Sequence, residues 1–248
     1  MILHRVASLQ SLPACSFRRG GVAADLQVMT EENAPFNFTE GGVLKGIGVD
    51  LLAAAMREAG RTFDPAAIRV VPWARAYDTV RETPDTMLFS MARTAEREPL
   101  FAWVGPILQV QIGVLALRER RIAIASAADL ASYRIATVRD GAPEQLLLAA
   151  GVPESALDRG PGIEANLRKL LAGRVDLVAF NVPGALHTLY RMGHDPATCA
   201  VAHVLKENSL HYAFNKASDP ALLRDLQASL GRLRARGEHD AIVRRYAW

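Results

Sequence analysis

Cysteine is almost absent from this 248-residue sequence: Cys15 and Cys199 are the only two. Two thiols build neither a disulfide framework nor a zinc site of the usual kind. Lysine is scarce too. Lys45, Lys169, Lys206 and Lys216 are the only four, so 29 − 4 = 25 of the basic residues are arginines. Aromatics make up 6% of the chain, so no basic stripe interleaved with rings appears. A net charge of +3 is too small to indicate nucleic acid by itself. No run reaches the ~18 apolar residues of a membrane helix. The longest candidate, Trp103 to Leu117, contains Pro106 and is interrupted by Gln109 and Gln111. Motifs of several enzyme classes are missing as well. There is no Gly-x-Ser-x-Gly elbow and no Walker loop. None of the six histidines pair at the i, i+4 spacing of a helical zinc site. Gly46-Ile47-Gly48 starts a dinucleotide-like pattern, but Leu51 holds the third glycine position, and turn chemistry explains the pair better. No metal or cofactor is expected.

What is present fits a folded α/β chain. Half the residues are hydrophobic and 22% are charged, which excludes wholesale disorder and supplies a core. The length suits one large domain or two lobes of roughly 100 residues each. An arginine-rich chain suits carboxylate and phosphate recognition, because the planar guanidinium donates in pairs, although most arginines of such a chain are solvated surface. Residues 1–23 stand apart. Arg5 precedes a short, polar-interrupted stretch that ends at Leu12-Pro13-Ala14-Cys15, which reads as a degraded secretory leader or a disordered start. Ordered sequence is expected from Ala24.

The periodicities alternate strand and helix. Leu26 to Met29 reads as a strand, and Phe36-Asn37-Phe38 with Val43-Leu44 reads as a hairpin around Glu40-Gly41-Gly42. Gly48 to Arg61 predicts a helix with Asp50 in its first turn and Gly60 at its stop. Ile68 to Val71 and Thr86 to Ser90 read as strands around a helix over Ala74 to Glu82. The rhythm restarts with a strand over Arg134 to Val138, a helix from Pro143, a helix over Asn166 to Ala172, a strand over Arg174 to Phe180 and a helix over Val182 to Met192. Asp219-Pro220 starts a last helical stretch that Gly237 breaks before a turn region at Asp240 to Tyr246. This is α/β with a mainly parallel sheet, in two units. The expected lobes are 24–108 with 213–248, and 114–207, joined by extended crossings at 109–113 and 208–212. Two crossings imply a cleft.

The most informative stretch is VPWARAYDTVRETPDTMLFSMARTAEREPLFAWVGPI, from Val71 to Ile107. Its centre, Ser90-Met91-Ala92-Arg93-Thr94-Ala95-Glu96-Arg97, resembles the Ser-x-Ser-x-Thr-x-x-Arg signature of the bacterial extracellular solute-binding proteins of family 3, the polar-amino-acid type that feeds ABC importers. Ala34-Pro35-Phe36 followed by GVLKGIGVDLL is similar to that family's opening. Leu170 to Asp176 is similar to its L-x-x-G-x-x-D segment, and the resemblance spans about residues 24–248.

The resemblance implies a two-lobed, hinge-closing protein that binds a small carboxylate-bearing molecule, acts as a monomer beside a permease in the periplasm, and is not an enzyme. It places Arg97 on the ligand carboxylate, with Ser90 and Thr94 as polar neighbours and Arg93 as an extra cation. Trp73 and Phe36 would form an aromatic wall. The Gly141-Ala142 turn would offer helix-start amides to the carboxylate, although Pro143 removes one donor. The sequence departs from the pattern at Asn181, where the family's ammonium-binding aspartate aligns, and a helix cap for Val182 onward is a compatible role. Without that acid the site is net positive and favours anions, unless Glu31 or Glu32 supplies the charge. Two alternatives use the same scaffold: a cyclohexadienyl-type dehydratase, for which Glu31 and Glu32 are the nearest acids, and a stand-alone metabolite sensor.

Overall fold

The computed structural model describes residues 26–246; the leader expected over 1–23, Cys15 included, lies outside the described residues. Ten strands and seven α-helices are described, and eight of the strands form one sheet. In chain order they are β1 (Gln27–Thr30), β2 (Phe38–Glu40), β3 (Val43–Lys45), α1 (Ile47–Glu58), β4 (Arg69–Val70), α2 (Trp73–Glu82), β5 (Thr86–Ala92) and β6 (Ala102–Leu117). Then come β7 (Ile135–Val138), α3 (Ala142–Ala149), β8 (Leu157–Gly160), α4 (Ile163–Leu171), β9 (Leu177–Asn181), α5 (Val182–Arg191), β10 (Cys199–Phe214), α6 (Pro220–Ala235) and α7 (Glu238–Arg244).

The sheet order is β4-β1-β5-β10-β6-β9-β7-β8. β6 and β10 carry the architecture. Each has 16 residues and they pair antiparallel from Phe214↔Ala102 to Cys199↔Leu117. At one end β10 pairs with β5, and β5 and β4 flank β1 in parallel. At the other end β6 pairs with β9, which continues in parallel to β7 and then β8. The result is two α/β lobes that share one pair of long strands. The segments 109–113 and 208–212 lie inside that pair, where Gln109 faces Ser209 and Gln111 faces Glu207. Gly113 sits where a Cβ would come within 2.8 Å of the His203 carbonyl oxygen, so the two strands approach too closely there for a larger residue.

Helices cover the sheet as the periodicity predicts. α1 buries Leu51, Leu52, Ala55 and Met56 against Leu226, Leu230 and Leu233 of α6 in the core of the first lobe. α4 and α5 bury Leu167, Leu170, Ala185 and Leu189 in the second lobe. Three elements depart from expectation. The terminal region read as a turn is helical from Glu238, with Gly237 in the left-handed region between α6 and α7. β8, sequence LDRG, was not expected; it is an edge strand with one apolar residue, so it carries no period-2 signal. The sequence marks an apolar run over Trp103 to Leu117 and an extended crossing at 109–113, and not the one continuous strand of β6. Its last six residues are all buried, and a strand covered on both faces loses the alternation that would mark it.

Candidate functional site

A cavity of about 40 Å³ lies between the lobes, at the ends of strands from both. One water needs roughly 10–15 Å³, so the space has room for more than one. From the first lobe come Glu31 and Asn33 after β1, Trp73 at the start of α2, Ser90 and Ala92 at the end of β5, and Arg97 in the turn that follows. The second lobe contributes the Gly141 turn before α3 and the Phe180–Asn181 end of β9. Ile112 and Leu210 of the long strands close the floor.

Arg97 is the largest fully buried side chain described, at 1% exposure. Its backbone N–H is held by Thr94, through the carbonyl at 3.2 Å and the hydroxyl at 3.4 Å. The guanidinium donates from Nε to Gln145 Oε1 at 3.1 Å, from Nη1 to the Ala92 carbonyl at 3.3 Å and from Nη2 to the Asp140 carbonyl at 2.6 Å. It also lies over the rings of Trp73 and Tyr77, with centroids 5.3 and 5.2 Å away. None of these partners is a carboxylate. Three of its five N–H groups make these bonds and the Tyr77 hydroxyl interacts with the guanidinium too, which leaves at least one terminal N–H for a ligand. Burial lowers its pKa to about 10, opposed by Tyr77, Glu31 and Asp140. A cation stripped of water and given no counter-ion is poised for an anion.

Glu31 lines the same cavity at 8% exposure. Among the described residues its carboxyl group has no hydrogen-bond or ion-pair partner. Burial pushes its pKa up to about 8, with Arg97 opposing and Glu32 reinforcing. Ser90 is also buried, its backbone lies in the left-handed region at φ 59°, and its hydroxyl is unpartnered. A serine held at positive φ is locally strained, and its unsatisfied hydroxyl packs close to Gly48 of α1.

Asn181 lines the second lobe's side. Its Oδ1 accepts the Gly184 N–H at 2.7 Å and caps α5, while Nδ2 donates to Asn33 Oδ1 across the cleft at 3.2 Å. Glycine at 184 is required: a Cβ there would sit 2.4 Å from the Asn181 oxygen and 2.7 Å from that of Asn33. Trp73 Nε1 also bridges the lobes, donating to the Asp140 carbonyl at 3.1 Å.

Of the residues expected here, Arg97, Ser90, Trp73, Gly141, Ala142 and Asn181 line the cavity. Thr94 lies beneath it and holds the Arg97 turn. Three expectations are corrected. Phe36 is fully buried in the first lobe's core and lines no part of the cavity. Arg93 turns outward, forks onto Glu98 at 2.5 and 2.6 Å and lies over Trp103. Glu32 is exposed and accepts the Thr39 N–H and hydroxyl at 2.9 and 2.6 Å, so its neighbour Glu31 is the acid in the cavity. An acid does line the cavity, at Glu31, one of the two positions at which the sequence offers it. The turn before α3 also offers fewer amides than expected, because Gly141 N–H is bonded to the Val138 carbonyl and Asp140 N–H to Glu144. Asn33 and Phe180 carried no signal in the sequence.

Two α/β lobes threaded by a shared strand pair, with a cavity where their strand ends meet, define a periplasmic-binding-protein-like fold. The chain belongs to the bacterial extracellular solute-binding proteins, family 3, whose profile matches residues 26–248. It is similar to an ancestral arginine-binding protein bound to arginine, at 19% identity and a TM-score of 0.77, covering 90% of this chain and 98% of that one. It is also similar to a histidine kinase sensor domain with similarity to periplasmic binding proteins, at 23% identity and a TM-score of 0.76, over 90% and 96% of the two chains. A third similar structure is ArtJ, the arginine-, lysine- and histidine-binding protein of Geobacillus stearothermophilus, at 18% identity and a TM-score of 0.73, over 89% and 94%. No curated protein matches the sequence. Among the described residues, no helix is long and apolar enough to cross a membrane and no side-chain cluster could hold a metal ion.

Proposed function

We propose that this protein captures a small carboxylate-bearing molecule, an amino acid or related organic acid, between its lobes and presents it to an ABC importer in the periplasm. The observation that carries the reading is Arg97: a buried cation with no carboxylate partner, facing a cavity, with at least one N–H group to spare. A ligand carboxylate would supply the missing counter-ion, in a site where closure removes competing water.

The mechanism is lobe closure about the middle of β6 and β10, with the crossings at 109–113 and 208–212 as the bending segments. Closed-state contacts from Arg97, Trp73 and Asn181 span the cleft. A ligand that touches both lobes binds the closed form better and shifts the population toward it. The similar arginine-binding proteins support the amino-acid class. A sensing role without transport is the second reading, favoured by the similarity to a histidine kinase sensor domain.

A thermal-shift screen against amino acids and small carboxylates tests the reading, because a ligand that binds only the folded state raises the melting temperature. A hit whose shift disappears in Arg97→Ala supports it. A hit that keeps its shift in Arg97→Ala overturns the role of Arg97.

A further inference from the structure

Among the described residues, five side-chain hydrogen bonds cross from one lobe to the other. Four of them use Arg97, Trp73 or Asn181, which line the cavity, so a bound molecule can displace or rearrange them. The fifth lies elsewhere. Arg191, in the last turn of α5 on the second lobe, donates from Nη2 to the Thr39 carbonyl of β2 on the first, at 2.9 Å. Its guanidinium carbon also lies 4.4 Å from the centre of the Phe38 ring, a ring that Lys45 approaches to 5.4 Å from its own lobe. Arg191, Thr39 and Phe38 line no part of the cavity.

The hairpin explains why this carbonyl is free to be taken. β2 and β3 pair Phe38 with Lys45, Thr39 with Leu44 and Glu40 with Val43 around Gly41-Gly42. In an antiparallel pair, alternate residues turn their N–H and C=O away from the partner strand, and the bonds at Thr39 show that it does so here. β2 pairs with no other strand, so these outward groups form an open edge. Glu32 takes the Thr39 N–H at 2.9 Å and its hydroxyl at 2.6 Å, and Arg191 takes the carbonyl. A lone two-stranded hairpin is marginal in water; this one is completed by the opposite lobe.

The geometry points to an affinity latch outside the ligand cavity: Arg191 clasps the hairpin whether or not the cavity is filled, sets the closed fraction of the empty protein, and so scales the affinity for every ligand without touching any. The assignment rests on the closure reading above and deepens it. Arg191 is a positioning residue, and Glu32 orients the Thr39 peptide that Arg191 grips. A ligand that binds only the closed form has an apparent Kd equal to its intrinsic Kd divided by the closed fraction. Loosening the latch therefore weakens all ligands by one common factor and leaves selectivity unchanged.

Single-molecule energy transfer on the full chain without ligand counts the open and closed forms. Dyes go on Glu82→Cys and Arg174→Cys, both exposed, in a Cys15→Ser background; Cys199 is buried. α2 and α4 both start at the cleft, so their far ends separate as the lobes open. The expected result is a closed population in the empty protein whose ratio to the open one falls about three- to tenfold in Arg191→Met, as a surface cation–π contact and a charged hydrogen bond are lost to water. Glu32→Ala should shift the ratio in the same direction, and an unaffected ratio there overturns the part given to Glu32. Both residues are exposed, so melting curves should confirm that both variants fold. Titration with the common L-amino acids follows, and each one that binds should show a Kd in Arg191→Met raised by the ratio of the closed fractions. An unchanged ratio of forms in Arg191→Met, or a closed population that appears only with an amino acid present, overturns the latch and leaves the Arg97 reading standing. Amino acids weakened to different degrees would show that Arg191 touches ligand and would overturn it too. The lack of a closed population in every condition overturns closure, and the binding reading with it.

Discussion

Replacing Arg97 by lysine keeps the positive charge and the contact with the Trp73 and Tyr77 faces but removes the planar fork. The guanidinium makes three hydrogen bonds in three directions, to Gln145, Ala92 and Asp140, and two of those acceptors belong to the second lobe. A single ammonium on a shorter reach satisfies the Asp140 carbonyl or the Ala92 carbonyl, and it cannot hold two oxygens of a ligand carboxylate side by side. A hydrogen bond to a charged group contributes about 1.5–3 kcal/mol. The closed, liganded form loses one such bond to the ligand and at least one across the cleft, part of which water recovers. We therefore expect a net loss of about 1.4–2.8 kcal/mol, which is a 10- to 100-fold weaker Kd. The melting temperature without ligand should fall as well, because the ammonium leaves at least one of the acceptors on Gln145, Ala92 and Asp140 unpaired, although the charge stays against the same two rings. Isothermal titration with the strongest hit of the thermal-shift screen reads the first quantity and a ligand-free melt reads the second. A Kd within twofold of the unmodified protein would refute the idea that the fork geometry, rather than charge alone, holds the carboxylate.

Other consequences are open to measurement. Arg97→Ala removes two of the bonds that hold the lobes together without ligand, so small-angle scattering should show a larger radius of gyration for the empty variant, and identical curves would argue against a closing cleft. Gly184→Ala drives a methyl group into the Asn181 and Asn33 amides and should cost about 1–3 kcal/mol, a fall in Tm of several degrees in a chain of this size; an unchanged melt would show that the bridge moves aside freely. Asn181→Asp keeps the acceptor for the Gly184 N–H and adds a negative charge facing the cavity, so amino acids should gain affinity relative to their deaminated acids, and an unchanged ratio in titration rejects a role for position 181 in charge selection. Glu58, at the end of α1, is held down to a pKa of about 2 by its bonds to Arg236 and Arg232. Its contribution is present above pH 4.5 and fades as pH falls toward 2, so Glu58→Gln should lower neutral stability slightly, the pair being exposed, and the gap to the unmodified protein should close as pH falls through that window.

The lobes were legible in the sequence because amphipathic helices carry their own signal. α1, α2, α5 and α6 sit within a few residues of where periodicity puts them, since each buries one stripe and caps its ends with Gly, Pro or Asp. The long strands were less legible. β6 is exposed over its middle and buried on both faces at its end, so neither a strict alternation nor a uniform run spans it. Its length follows from pairing with β10, a partner some hundred positions away in sequence, and no local window contains that partner. β8 is held by its register with β7 and not by its own composition.

For the cavity, the signature around Arg97 marks an arginine that lines it, because the signature encodes a local turn: Thr94 holds the backbone of Arg97 three residues on. The same stretch ranks Arg97 over Arg93 by position in the signature, but does not say which way the Arg93 side chain turns. Both are arginines near one strand end, and only the fold shows that Glu98 draws Arg93 outward. The choice between Glu31 and Glu32 is the same problem at its sharpest. Adjacent residues on an extended segment face opposite sides, so one glutamate had to face inward and one outward, but the sequence does not fix the phase. Two contacts settle it. Asn37 donates to the Glu31 carbonyl and pins that loop, and Thr39 offers its N–H and hydroxyl to Glu32 on the outside. Glu32 is satisfied on the outside while Glu31 lines the cavity, so the hairpin that begins at Phe38 helps fix which glutamate faces inward.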